Sequence, residues 1–212
     1  MRMNKIITNV PQPLMGCGAH FQLEPEPATR AWLEAVQKSD RTRRQCERVR
    51  ALTRQGRPQE AAQAKRGLSF LTPHAYFPSG ERHNELAHPS GCLFLDLDHL
   101  PEARSVWQRI YADALELDLL FAEVSPSGCG LHLIFPIPPE LRAYSIGGVA
   151  RAFDHILGIR HDEHCEDLAR CMFVGDTPLY IAPTFLRPEG ADAETADGDK
   201  EININPLNRS ES

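Results

Sequence analysis

An apolar run near the middle of the chain, Gly91-Cys92-Leu93-Phe94-Leu95, closes on Asp96-Leu97-Asp98. A run of that length and composition predicts a strand over 92–98. Pro101 then suits a helix start, and Val106, Ile110, Ala114 and Leu117 share one face of a helix reaching about residue 117. Leu119 to Val124 predicts a second strand, Ser125 to Gly130 a tight turn, and Leu131 to Phe135 a third strand that completes a hairpin. A second helix is predicted over 139–157, where Gly147-Gly148 is an unfavourable pair, followed by a polar loop at 158–168. Arg170 to Val174 supplies a fourth strand.

Upstream, residues 1–27 carry Pro11, Pro13, Pro25 and Pro27 and read as irregular. Trp32, Leu33 and Val36 fit one face of a short helix from Thr29. Helical stretches at 41–55 and 59–65 are divided by Gly56-Arg57-Pro58. Residues 70–90, with Pro73, Pro78, Gly80 and Pro89, read as loop with short extended pieces. From Pro188 the chain turns acidic and poor in apolar residues, which predicts a disordered tail over 188–212. The order β-α-β-β-α-β predicts an α+β domain over 1–187. Its core, about 70–185, is of the ferredoxin-like (RRM-like) class, preceded by a helical part at about 28–68.

Charge sharpens this picture. The net charge of −6 over 212 residues argues against a nucleic-acid binder. Yet residues 41–66 hold nine cations against only Glu47 and Glu60, a local balance of +7 that leaves the remainder at −13. Such a segment, Arg44, Arg48 and Lys65 included, is either a solvated helix face or a contact to a phosphate backbone. Six cysteines form no paired framework, no apolar stretch is long enough to span a bilayer, and the N-terminus resembles no signal peptide. A cytoplasmic protein with no membrane partner is the expectation.

Three segments carry candidate chemistry. Side chains alternate along a strand, so Asp96 and Asp98 share one face at its C-terminal end, where a hard divalent cation relieves their repulsion. Ser127-Gly128-Cys129-Gly130-Leu131-His132 reads as a plain hairpin turn or as a phosphate nest, with His132 leaving on the same sheet. In His161-Asp162-Glu163-His164-Cys165-Glu166-Asp167-Leu168-Ala169-Arg170, either Asp162 or Asp167 supplies a third carboxylate, and Arg170 a guanidinium for phosphate. His161, His164, Cys165 and Cys171 match no common zinc spacing.

In their order and spacing these segments resemble the three motifs of the archaeo-eukaryotic primase superfamily: acid-x-acid, a small-residue turn ending in histidine, and a late aspartate with an arginine after it. Phe77-Pro78-Ser79-Gly80, Ser125-Pro126-Ser127-Gly128 and Arg170-Cys171-Met172-Phe173-Val174 bring the likeness nearest to the primase-like N-terminal domain of virulence-associated-E-type mobile-element proteins. The resemblance spans roughly 45–185. His161 stands where that family has an apolar residue, and Gly175 where it commonly has serine.

The resemblance implies a primase-polymerase-type nucleotidyltransferase of phage or mobile-element DNA replication. Asp96, Asp98 and Asp162 would be its catalytic, metal-holding carboxylates, with Mg²⁺ or Mn²⁺ as cofactor. Ser127, Gly128, Gly130, His132 and Arg170 would bind the nucleoside triphosphate. Arg44, Arg48 and Lys65 would track a single-stranded DNA template, and a separate helicase would be a partner.

Two other readings compete. Phe94 to Asp98 and Phe173 to Leu179 resemble the first and last motifs of haloacid-dehalogenase-like phosphatases, with Asp96 as nucleophile, Asp98 as acid/base and Asp176 on the metal. The third is a non-catalytic nucleic-acid-binding module of primase-like fold.

Overall fold

The computed structural model describes residues 15–17 and 23–186, so the tail expected over 188–212 lies outside the described residues. Two short strands come first, β1 (Met15–Cys17) and β2 (Leu23–Pro27), where the prolines suggested only irregular chain. Helix α1 (Arg30–Lys38) follows, and the Thr29 hydroxyl caps it by accepting the Trp32 N–H at 3.1 Å. Ser39 then caps α2 (Asp40–Arg54) in the same way, and Pro58 occupies the first turn of α3 (Pro58–Lys65). Short strands β3 (Phe70–Leu71), β4 (Ala75–Tyr76) and β5 (His88–Pro89) lead to β6 (Cys92–Leu97). After it come α4 (Ala103–Glu116), β7 (Phe121–Val124), β8 (Leu131–Pro136), α5 (Ile146–Leu157), β9 (Met172–Phe173) and β10 (Thr177–Ile181).

The result is an α+β architecture around one antiparallel sheet of order β10-β7-β8-β6. Both β6 and β7 run antiparallel to β8, so β6-α4-β7 is a split β-α-β unit with β8 inserted between its strands. The unit β8-α5-β10 repeats the device, with β7 inserted.

One expected strand is placed elsewhere. The sequence predicts 170–174 as the fourth strand of this sheet, but β9 pairs with β3 through Phe70↔Phe173 and Leu71↔Met172 in a second sheet, β2-β1-β3-β9. The fourth strand of the central sheet is β10, on the free edge of β7. Pro178, which cannot donate to a ladder, is tolerated at such an edge.

The pleat divides the core in two. Leu93, Leu95 and Leu97 of β6, with Leu131, Leu133 and Phe135 of β8, pack under Trp107 and Ile110 of α4 and Val149 and Phe153 of α5. Phe94, Ile134 and Phe121 point to the opposite face and meet Leu33 of α1, Leu71, Met172 and Phe185. Among the described residues no helix is long and apolar enough to cross a membrane.

Candidate functional site

Asp96 continues the second face of β6, two residues beyond Phe94, where the apolar cover gives out. Its register partner on β8 is His132, whose partner on β7 is Glu123, so the three side chains stand in a row across the sheet. His132 Nδ1 lies 2.9 Å from Glu123 Oε1, and His132 Nε2 lies 3.7 Å from Asp96 Oδ1. The imidazole is buried, its two nitrogens directed at two carboxylates.

The turn between β7 and β8 packs on the end of β6. Ser125 N–H donates to Gly130 O at 2.9 Å, and Leu100 N–H to Cys129 O at 2.8 Å. The Ser125 and Ser127 hydroxyls share a hydrogen bond at 2.9 Å. A Cβ at residue 130 would stand 2.5 Å from Leu97 O and 3.2 Å from Asp98 Oδ1, so only glycine lets the turn approach the end of β6 and Asp98 this closely.

Asp162 joins this group and Asp167 does not. Asp162 N–H donates to Asp96 O at 2.8 Å, which pins the loop after α5 to the outer edge of β6. The Cys165 thiol sits between the two carboxylates, 3.8 Å from Asp96 Oδ2 and 3.7 Å from Asp162 Oδ2. Asp167 instead accepts from Arg170 Nε at 3.0 Å, and its carbonyl accepts the Nδ1–H of His74 at 3.0 Å. His74 Nε2 in turn accepts the Phe94 N–H at 2.9 Å, so the same loop is anchored twice to β6.

Electrostatics mark Asp96 as the strained member. Burial pushes its carboxyl above the ordinary aspartate value, Asp98 and Asp162 push it further, and His132 and Lys65 pull it back. Its Oδ1 is buried and has no hydrogen-bond partner. Asp162 runs the other way. Its partial burial is outweighed by bonds from the His164 N–H and ring, which hold it below the usual range. For His132, burial alone would depress the ring, but the carboxylates of Asp96 and Glu123 raise it above the ordinary histidine value. Burial and the Asp96 charge keep Cys165 a thiol, a donor to its neighbours.

An orphaned buried carboxylate oxygen amid two further carboxylates fits a hard divalent cation, which takes oxygen donors of this kind. As the side chains stand, no three His, Cys, Asp or Glu groups among the described residues are arranged to hold a metal. The carboxylates would have to turn inward to share one.

The remaining sequence candidates separate clearly. Lys65, at the end of α3, is close enough to Asp96 and His132 to act on both, so it belongs with the acidic centre. Arg44 and Arg48 are exposed on α2, one turn apart. Arg170 is half-exposed and held by Asp167. Asp176 is gripped by both terminal nitrogens of Arg50, with Thr177 beside them, on the far side of the hairpin turn.

Sequence reasoning missed Glu123 and His74. Glu123 could have been found, since a tight turn at 125–130 pairs Val124 with Leu131 and hence Glu123 with His132. Nothing local announced His74, and Cys165 stood out in the sequence only as part of a zinc set of uncommon spacing. His161, the departure from an apolar position, is buried and bonded through Nδ1 to Asp154 at 2.7 Å and through Nε2 to Glu166 at 3.1 Å.

A family model described as BT4734-like, N-terminal domain, matches residues 63–180. No curated protein and no solved structure matches the chain.

Proposed function

The chain belongs to the BT4734-like N-terminal domain family, and we propose that it is a primase-polymerase-type nucleotidyltransferase that adds nucleotides to a nucleic-acid 3′-hydroxyl. The observation that carries this reading is the orphaned Oδ1 of Asp96 within a cluster that includes Asp98 and Asp162. Three carboxylates on one sheet end have no structural use for one another, since each raises the cost of ionising the next. A divalent pair, Mg²⁺ or Mn²⁺, held there would supply that missing charge, countering a triphosphate and lowering the pKa of the attacking hydroxyl.

The chain's own groups then divide the work. Asp96, Asp98 and Asp162 would hold the cations at the end of β6. Ser127, on the turn shaped by Gly128 and Gly130, offers its hydroxyl to the nucleotide's phosphates. Lys65 and Arg170 flank the centre with positive charge, and His132 Nε2 faces it from β8. Arg44 and Arg48 lie on α2 for the template backbone. The two interleaved split β-α-β units serve as a ferredoxin-like platform in which the closing strand has taken the β7 edge. Within the same reading the enzyme works in the cytoplasm on single-stranded DNA, during replication of a phage or mobile element, beside a separate helicase.

The phosphatase alternative needs Asp176 beside Asp96, and Arg50 already occupies the Asp176 carboxylate. The deciding experiment incubates the purified chain with primed single-stranded DNA, labelled nucleotides and Mn²⁺. Primer extension that disappears when Asp96 and Asp98 are both changed to Asn supports the proposal. Extension by that double variant at the wild-type rate overturns it. Phosphate release from small phosphoesters, or DNA retention with neither activity, would establish one of the other two readings instead.

A further inference from the structure

Glu123 is fully buried in the middle of the central sheet, at a position whose neighbours on the same face, Phe121 and Ile134, are apolar. Its carboxylate is surrounded by donors from three separate parts of the chain. His132 Nδ1 on β8 approaches Oε1 at 2.9 Å, and Gln37 Nε2 on α1 approaches Oε2 at 3.1 Å. The Gly175 N–H, between β9 and β10, bonds both oxygens at 3.0 and 3.1 Å. Glycine at 175 makes that approach possible, because a Cβ there would stand 3.0 Å from Val124 O and 3.5 Å from the Glu123 carboxyl carbon.

A position needed only for packing would be better filled by an apolar side chain, since a buried charge forfeits its hydration. The donors trained on Glu123 compensate for that loss, and one of them is the histidine that faces Asp96. A carboxylate so placed accepts a hydrogen from Nδ1, and this fixes both the ring plane and the nitrogen left to face the acidic centre.

We propose that Glu123 is a positioning residue. It holds the Nδ1–H of His132 so that Nε2 is aimed at the Asp96 carboxylate, and it couples that setting to α1 and to the segment entering β10. The inference rests on the reading of Asp96 as a divalent-cation ligand. Glu123 itself touches no substrate.

Two measurements test it. The first is the side-chain ¹⁵N–¹H spectrum of His132 in the full chain without metal. A hydrogen on Nδ1 is expected, and a bare Nδ1 overturns the proposal. This needs no substitution, so a Glu123→Gln chain that failed to fold would not shelter the idea. The second is Mn²⁺ titration calorimetry on the wild type, E123Q, H132A and the double variant. E123Q should bind Mn²⁺ about 10-fold more weakly, the low end of what losing a group that orients a ligand costs, because Glu123 acts on Asp96 through His132. The double variant should bind no more weakly than H132A, because both changes cut one chain of contacts. A folded E123Q with wild-type Mn²⁺ affinity would assign Glu123 a purely structural role and overturn the proposal. A wild type that binds no Mn²⁺ would overturn the reading of Asp96, while the ring spectrum still decides whether Glu123 holds His132.

Discussion

Asp96 pays a cost in the metal-free protein that its neighbours deepen. The fold raises its carboxyl above the ordinary aspartate value, because burial, Asp98 and Asp162 disfavour the anion more than His132 and Lys65 favour it. Asp96→Asn removes that charge without removing volume. The variant should be more stable than the wild type at neutral pH, by about 1 kcal/mol, the scale of one unsatisfied buried polar group. The sign follows from the raised folded-state value. Below the ordinary 3.8 the wild-type side chain is protonated in both the folded and the unfolded chain, and the group costs nothing. As pH climbs through the raised value, wild-type stability falls while that of D96N does not, so the gap opens in that window. Urea unfolding between pH 3 and 8 in EDTA measures it. Mn²⁺ should reverse the order by stabilising only the wild type. A D96N chain less stable than the wild type throughout would show that the carboxylate is well satisfied as it stands.

At the level of elements, what the sequence disclosed is what local patterning controls. Alternation of Phe94, Asp96 and Asp98 assigns their common face from strand parity alone, and the structure keeps that parity through Asp96. The β-α-β-β order survives for the same reason. Partner choice was not legible. Met172 and Phe173 have the character of a strand, yet whether they join β3 or the edge of β7 depends on chain some hundred residues away. Pro178, which cannot donate to a ladder, disguises the strand that does close the sheet. Likewise Asp162 and Asp167 look equivalent in sequence. The bond from Asp162 N–H to Asp96 O and the hold of His74 on Asp167 distinguish them only in space. The hairpin turn gives the sharpest test at this scale. Gly128 has a left-handed φ of 79°, and a Cβ there would meet only the flexible stem of Arg50, at 3.5 Å. Gly128→Ala should therefore cost about 1 kcal/mol, from backbone strain. Gly130→Ala forces a methyl against Leu97 O, a backbone atom of the paired strand, and should cost more, about 1–3 kcal/mol. It should also weaken Mn²⁺ binding by moving Asp98. Chemical denaturation and calorimetry of both variants check the order, and G128A proving the more damaging would contradict it.

Across the whole molecule, an acidic protein presents one basic helical segment, and three of its nine cations are paired with carboxylates. Arg43 is paired with Asp40 and Glu47, Arg50 with Asp176, and Arg57 with Glu60. Arg41 reaches the Gly67 carbonyl, and the charge of Lys65 acts on Asp96. Arg44 and Arg48 are exposed, and among the described residues neither makes an ion pair, so they can meet phosphates without first giving up a carboxylate. That difference predicts how DNA binding should respond to mutation. Each contact to a single-stranded backbone contributes about 0.7 to the slope of log affinity against log salt. Changing Arg44 and Arg48 to Ala together should therefore weaken binding of an oligonucleotide and flatten that slope by about 1.4. Changing Arg43 and Arg57, whose charge is already spent, should leave the slope nearly unaltered. Fluorescence anisotropy with a labelled oligothymidine over a range of NaCl separates these outcomes, and circular dichroism confirms that the exposed substitutions leave the helix formed. Repeating the titration in EDTA isolates the helix from the acidic centre, since the α2 contacts need no cation. An unchanged slope for R44A/R48A would remove that face of α2 from the path of the template and leave the exposed Arg54 and Arg66, with Lys65 and Arg170, as the chain's remaining hold on a phosphate backbone.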